Sequence, residues 1–522
     1  MSKTHRGPRL VAILLAGAAA TAAAPASAET LADAISLAYQ TNPNLLAQRA
    51  TQRALDENYV QARTGYRPTI NFQGSASYVQ TRTPRAAGGG LIDTNGDGIP
   101  DTPAGSGLVE SNSAFIGLDF NQPIWTGGRV AAALSAAEGD ILSGREQLRQ
   151  VEARVMLATI QAYLDVRRDQ EALRIRKLDL EALRAQLDET RARREAGELT
   201  RTDVAQSEAR YAQSQAALSN ATAQLAISRA NYALAVGQNP GDLAPEPSLA
   251  FLMPKTVDEA FSVAEQNNPV LKGQVYAEQA SRARVAQARA ERMPQASLRL
   301  DYGFTGVVTP FDQGKYTRDI VGQAVVTMPI FSGGLTSSRI RQQVERNNTD
   351  KITIETQRRS VLQQVTQAWN QLIASRANID STQQSVEAAQ VAADGTELEL
   401  KLGLRTTIDV LNAEQELRAD QLSATTAKHD EYVASATMLS AMGRLEAKNL
   451  IPAVTQYDPA RNLRKLRFSL GYVPWEEPIA VVDKAVAYPP IPQSRTVPGE
   501  GAVGPGLQPQ PAVAPPVEAP KK

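Results

Sequence analysis

The chain has no cysteine and only two histidines, His5 and His429. Without thiols there is no disulfide, no thiolate chemistry and no cysteine to carry a lipid anchor. His5 stands in the N-terminal leader, so one histidine remains, and no His/Cys/carboxylate cluster has metal-site spacing. No glycine loop of the phosphate-cradling kind occurs, and the hydroxyls in "WTGG" and "FSGG" have no matching base motif. Charge of one sign is missing as well: 55 Lys and Arg face 55 Asp and Glu, so nothing invites nucleic acid. These absences argue against an enzyme, and no resident cofactor is expected.

Lys3, Arg6 and Arg9 precede an apolar stretch from Leu10 to about Ala24, followed by Ala26-Ser27-Ala28. This pattern predicts a secretory signal peptide over residues 1–28. Its removal leaves 52 basic against 55 acidic groups, a charge of −3. Beyond it no window holds 18 uninterrupted apolar residues. An exported chain of this kind enters a membrane only as strands in a closed barrel.

Much of the chain is written twice. Pro43 of "TLADAISLAYQTNP" and Pro68 of "YRPTINF" recur 226 residues on, as Pro269 and Pro294. Pro123, Gly197, Asp203 and Gly237 recur 206 residues on, as Pro329, Gly403, Asp409 and Gly443. The first copy thus carries 20 extra residues, in a Gly/Pro/Asp-rich stretch that reads as an exposed loop. The expected organisation is a first repeat over 29–237 with an extracellular loop at 81–112, then a linker at 238–256. A second repeat follows over 257–443, another linking segment over 444–476, and a Pro-rich disordered tail over 477–522.

Each repeat holds two stretches of strict alternation. Ile70, Phe72, Ala76 and Tyr78 oppose Thr69, Asn71, Gln73, Ser75 and Ser77. Ala114, Ile116, Leu118 and Phe120 oppose Ser113, Asp119 and Asn121. Ala296, Leu298, Leu300, Tyr302 and Phe304 oppose Gln295, Ser297, Arg299 and Asp301, and a weaker fourth stretch lies near Ile320–Met328. Such segments suit transmembrane barrel strands, although a small amphipathic sheet on a soluble domain also alternates. Four strands cannot close a barrel. Two chains give eight strands and a filled interior, whereas three give twelve and an open lumen.

The remaining sequence is rich in helix formers. Residues 129–195 and 335–401 contain no proline, and each predicts a helix about 100 Å long at 1.5 Å per residue. Helices of that length without a globular core pack as coiled coils. At "QPIWTGG" and "MPIFSGG" the strands pass into those helices. Pro123 and Pro329 suit strand ends, while Gly127-Gly128 and Gly333-Gly334 supply backbone freedom for the bend. Phe331 is expected to pack beneath the barrel rim.

Together the paired Asn-Pro sites (Asn42-Pro43, Asn268-Pro269), the two junctions and "GLRTTIDVLNAE" at 403–414 resemble the TolC family of outer-membrane channels. The resemblance covers roughly residues 30–450. It implies a mainly α fold with a membrane β-barrel: a trimeric twelve-stranded outer-membrane barrel continued by a twelve-helix periplasmic coiled-coil tunnel. The two linking segments would form an equatorial belt. The implied function is an exit duct of a tripartite export system, opened at its periplasmic end by a periplasmic adaptor and an inner-membrane pump. Its partners would be two further copies of itself, that adaptor and pump, and outer-membrane lipid. Protein secretion and multidrug efflux both fit, the absent anchor cysteine favouring secretion. A structural periplasmic coiled-coil scaffold is the competing class, but it predicts no membrane-facing alternation.

The hairpin turns at 195–204 and 401–410 are expected at the periplasmic tip. Helix capping alone accounts for Asp203 and Asp409 near helix starts. By resemblance, Thr202 and Asp203 of one protomer meet Arg405 of another, and three copies of Asp409 ring the constriction. Leu400 stands where the family places a gating tyrosine, and Asn412 where a second aspartate ring often lies. In "DTNGDGIPD", Asp93, Asn95, Asp97 and Asp101 have calcium-loop spacing with Gly98 at the turn, but Ala104 takes the place of the bidentate glutamate. A calcium site and a plain polar surface loop both fit these residues.

Overall fold

The computed structural model describes residues 28–82, 91–92, 102–103, 108–308, 313–469 and 473–485. The signal peptide up to residue 27, the loop residues Asp93, Asn95, Asp97 and Asp101, and the tail beyond 485 lie outside the described residues.

Each repeat opens with a pair of helices broken at Asn-Pro: α1 Leu31–Thr41 and α2 Pro43–Arg63, then α5 Val257–Asn267 and α6 Pro269–Ala290. The break has a local cause. Proline at the first helical position loses no hydrogen bond, and the asparagine caps the new helix, Asn42 from Asn44 N at 3.0 Å and Asn268 from Val270 N at 2.9 Å. The same asparagines bind distant helix ends, Asn42 Nδ2 donating to Ala235 O and Asn268 Nδ2 to Ala441 O, both at 3.0 Å. One side chain thus starts one helix and holds the end of another.

The two proline-free stretches are single helices, α3 Arg129–Glu195 and α7 Leu335–Lys401, of 67 residues each. They turn back into α4 Arg201–Val236 and α8 Thr407–Ala441. The α3/α4 and α7/α8 hairpins carry the same cross-link with the partners exchanged: Ser214 Oγ donates to Asp179 Oδ2 at 2.7 Å, and Ser385 Oγ to Asp420 Oδ2 at 2.5 Å. Where α1, the start of α2, α3, α4, α7 and α8 converge, Ile35, Leu45, Met156, Ile160, Tyr163, Tyr232, Leu372, Met438 and Leu439 form the main apolar core. The short helices α9 Ala447–Leu450 and α10 Ala460–Ser469 follow. Among the described residues no helix is long and apolar enough to cross a membrane.

Four long strands, β1 Thr69–Arg82, β4 Leu108–Trp125, β5 Gln295–Gly306 and β6 Thr317–Thr327, form one antiparallel sheet in the order β1-β4-β5-β6. The two-residue strands β2 Leu91–Ile92 and β3 Thr102–Pro103 pair separately within the β1–β4 connection. Register sorts the two faces. Phe72, Leu118, Tyr302 and Ile320 stand in one row, and Ile70, Phe120 and Leu300 in the next. On the opposite face Thr69, Asn121, Arg299 and Gln323 share a row, as do Asn71, Asp119 and Asp301. The apolar face is open, Phe72 being 68% and Ile320 59% exposed, and among the described residues both edge strands, β1 and β6, lack an outer neighbour.

Two expectations need correction. The loop expected at 81–112 is shorter, because the ladder continues past the apolar alternation through Gln80 with Glu110, Thr81 with Val109 and Arg82 with Leu108. The tail expected to be disordered from 477 instead begins with a helix, α11 Glu476–Ala485. Two acidic residues in its first turn and Lys484 in its last suit the helix dipole.

Candidate functional site: junctions, tip and hairpin contacts

At the first junction the pairing register slips between Pro123 and Trp125, where proline cannot donate to the ladder. Gly127 and Gly128 then take φ of 66° and 83°, and Gly333 and Gly334 at the second junction take 59° and 84°. These left-handed angles are why both copies need glycine. The surroundings differ sharply. A Cβ on Gly127 would lie 2.4 Å from Met293 Cβ, whereas nothing lies within 4 Å of one on Gly333 or Gly334. Phe331, expected beneath the barrel rim, is 89% exposed in the protomer, and its neighbour Ile330 is 96% exposed.

The first junction is also filled from the C-terminus. Asp483 of α11 is fully buried, and its carboxylate accepts from Thr126 N at 3.0 Å, Gly128 N at 2.9 Å, Tyr66 OH at 3.0 Å and Thr126 Oγ1 at 2.9 Å. Burial, with Asp483 beside it, pushes the Tyr66 hydroxyl far above the ordinary tyrosine range, so it stays a donor. Glu476, at the other end of α11, pairs with Arg63 and with Arg67 (3.1 Å). The indole of Trp475 donates to Gln122 Oε1 at 2.9 Å. None of these C-terminal contacts was legible from proline content; the acidic first turn and basic last turn of 476–485 were the available signal.

At the tip, Gly197 and Gly403 end α3 and α7 with φ of 83° and 76°. Asp203 and Asp409 close capping boxes: Thr200 Oγ1 donates to Asp203 Oδ2, and Thr406 Oγ1 to Asp409 Oδ2, both at 2.7 Å. Side-chain and backbone hydrogen bonds from Thr200 and Thr406 hold both carboxyls below the usual aspartate range. Arg405 pairs within its own chain, its Nε 2.7 Å from Glu399 Oε2, and Thr202 is exposed. The four residues lie at the α3/α4 and α7/α8 turns, and each charged one has an intrachain role. In the second tip Leu402 and Leu404 are 67% and 72% exposed.

Sequence reasoning missed Arg210, two turns beyond Asp203 on α4. Its guanidinium binds Gln415 Oε1 at 2.5 Å and Asn412 Oδ1 at 3.1 Å, tying one hairpin to the other. Asn412, read as a lost charge, is therefore an acceptor in that link. It also missed His429 on α8, whose ring nitrogens lie 3.0 Å from Asp165 Oδ1 on α3 and 2.9 Å from Asp430 Oδ1.

The sequence profile of the outer membrane efflux protein family matches residues 34–238 and 260–444, that is, both repeats. The chain is 33% identical over 456 residues to the outer membrane efflux protein BepC of Brucella suis, covering 87% of this chain and 94% of that one. It is 27% identical over 312 residues to the alkaline protease secretion protein AprF of Pseudomonas aeruginosa, covering 58% of this chain and 64% of AprF. Among solved structures, the outer-membrane channel OprN superposes with a TM-score of 0.66 at 19% identity, over 79% of this chain and 89% of OprN. The chain belongs to the outer membrane efflux protein family.

Proposed function

We propose that three copies of this outer-membrane exit duct close a twelve-stranded barrel and a twelve-helix tunnel, opened at the periplasmic tip by an adaptor and an inner-membrane pump. The observation that carries the reading is the sheet. It is apolar on one face and polar on the other, open at both edges, and continuous with two helices of 67 residues. As a passive conduit it does no chemistry of its own.

The internal repeat supports one way for the copies to meet. Within a protomer Leu118 of β4 stands opposite Tyr302 of β5. Moving the first by +206 and the second by −226, the two spacings of the repeat, sets Ala324 of β6 opposite Ala76 of a neighbour's β1. By the same shift, the Met293-Pro294 segment that covers Gly127 becomes Arg67-Pro68 of the neighbour, covering Gly333, Ile330 and Phe331. Those apolar side chains, bare in the protomer, support a partner at that place.

At the tip, Thr202 and Asp203 would meet Arg405 of the neighbour, and Asp409 would ring the entrance. Capping uses Oδ2 of Asp203, so it does not compete with a guanidinium approaching Oδ1. Exposed Leu402 and Leu404 offer the adaptor an apolar contact.

Residues directly opposite on antiparallel strands have Cα atoms about 4.5–5.5 Å apart, within disulfide reach. A76C with A324C in this cysteine-free chain should therefore give a covalent trimer on oxidation. L118C with Y302C should cross-link only within the protomer. If the second pair oxidises and the first leaves monomers, the closure is wrong.

A further inference from the structure

The polarity of α11 is inverted. Its inward face carries the carboxylates of Glu476 and Asp483, 4% and 0% exposed. On the opposite side of the helix, at the spacing of one helical face, stand Pro478, Val481, Val482 and Ala485, all exposed. Val481 and Val482 are 66% and 54% exposed, and Trp475, just before the helix, is 46% exposed. A surface helix in water normally turns such residues the other way.

Its position says what lies against that face. Trp475 hydrogen-bonds Gln122, and Gln122 pairs with Leu298, so it points to the same side of the sheet as Leu118, Phe120 and Leu300. That is the apolar side, which faces lipid in an outer-membrane barrel. Asp483 fixes the other end of α11 to Tyr66, Thr126 and Gly128, directly where β4 ends. The helix therefore lies outside the channel at the periplasmic foot of the barrel, continuous with its apolar belt. It sits on α3, β4 and the Thr64–Tyr66 turn that leads into β1, with Glu476 paired to Arg67, so it lies toward the β1 side of the sheet and away from the free edge of β6.

We propose that α11 is an interfacial anchor, its Pro478/Val481/Val482/Ala485 face and Trp475 seated in the inner leaflet of the outer membrane. The two inward carboxylates fasten the helix to the protein, and the apolar face meets lipid. A tryptophan at this level matches the preference of indole for the membrane–water boundary, and short amphipathic helices lie in that plane with the apolar face toward the acyl chains. The anchor fixes the height of the barrel–tunnel junction relative to the membrane. The inference rests on the sheet being a membrane barrel, and the experiment separates the two.

The absence of cysteine permits single-site labelling. V482C, V481C, F72C and G241C are each labelled with an environment-sensitive fluorophore, and the trimer is reconstituted in phosphatidylethanolamine/phosphatidylglycerol vesicles. Gly241, in the polar segment after α4, is exposed with nothing within 4 Å of its Cβ position and serves as the aqueous control; Phe72 serves as the lipid control. Labels at 481 and 482 should lose fluorescence to lipids brominated on their acyl chains, as the label at 72 does, and resist aqueous iodide. Quenching by iodide at both sites, with 72 still quenched by lipid, overturns the anchor alone. Protection from both quenchers means that protein covers the face, which also overturns it. Iodide quenching at 72 sinks the barrel reading itself.

Discussion

The carboxylate of Asp483 accepts a hydrogen bond from the backbone nitrogen of Gly128 at 2.9 Å, joining the C-terminal helix to the turn where strand becomes tunnel helix. The same fully buried group serves Thr126 and Tyr66. Asp483→Ala leaves buried donors without an acceptor, at a cost of roughly 2–4 kcal/mol, since each orphaned buried group costs about 1–3. Tyr66→Phe removes one donor and costs about 1 kcal/mol. Thermal unfolding of the solubilised protein should rank them in that order; equal midpoints would mean that α11 is not seated there.

The glycines separate backbone strain from packing. Gly333 and Gly334 meet nothing in the protomer, so Gly334→Ala costs only the left-handed conformation, about 1–2 kcal/mol. Gly127→Ala adds a clash with Met293 Cβ. In monomers Gly127→Ala should therefore unfold at lower denaturant than Gly333→Ala. In trimers the difference should shrink, because the repeat places Arg67-Pro68 of a neighbour over Gly333. A gap of the same size in both states argues against that neighbour.

What could be read ahead of the structure was whatever is periodic or repeated. Helices 129–195 and 335–401 were legible because proline excludes itself from helix interiors, and the strands because burial on one face enforces alternation. Asp483 was not legible, since its partners, the backbone nitrogens of Thr126 and Gly128 and the hydroxyls of Thr126 and Tyr66, lie 355 to 417 residues away in sequence. Nor was the unequal burial of the two junctions. The motifs are nearly identical, and the difference comes from which chain segment happens to cover each.

The tip residues predict different responses. Asp203→Ala removes a capping box and, in the proposed trimer, a partner of Arg405. Arg405→Ala leaves both capping boxes intact and loses only the pair with Glu399 inside the protomer. A rise in single-channel conductance in planar bilayers is expected for Arg405→Ala and for the double variant. Conductance at the unmodified level in Arg405→Ala would leave Asp203 to capping and Arg405 to its pair with Glu399 alone.

His429 couples the two hairpins to pH. Burial pushes its pKa down, but the carboxylates of Asp165 and Asp430 outweigh it and Arg168, and the net shift is upward. A raised folded pKa contributes stability that is complete below the unfolded value of about 6.5 and is lost as pH climbs through the folded value. Stability should fall as pH rises above about 6.5, and His429→Gln should flatten that dependence. A variant whose melting temperature tracks the unmodified protein across this range rules out the imidazole as the cause.

The polar face of the sheet sets Asp119 directly opposite Asp301, with Asn71 Nδ2 donating to Asp119 Oδ1 at 3.3 Å. Like charges directly opposite on neighbouring strands destabilise by roughly 0.2–1 kcal/mol, so Asp301→Asn should raise the melting temperature slightly. In a closed trimer these carboxylates form a six-membered acidic layer facing the lumen, in series with the proposed Asp409 ring at the tip. Screening over about 8–10 Å at ordinary salt confines the influence of a wide ring to dilute solution. The reversal potential in a potassium chloride gradient should move away from cation preference in Asp301→Asn at low salt only, and in Asp409→Asn at all salt levels. If Asp301→Asn leaves the potential unmoved even in dilute salt, this layer lies too far from the conducting path to sort ions, and the tip alone sets the preference.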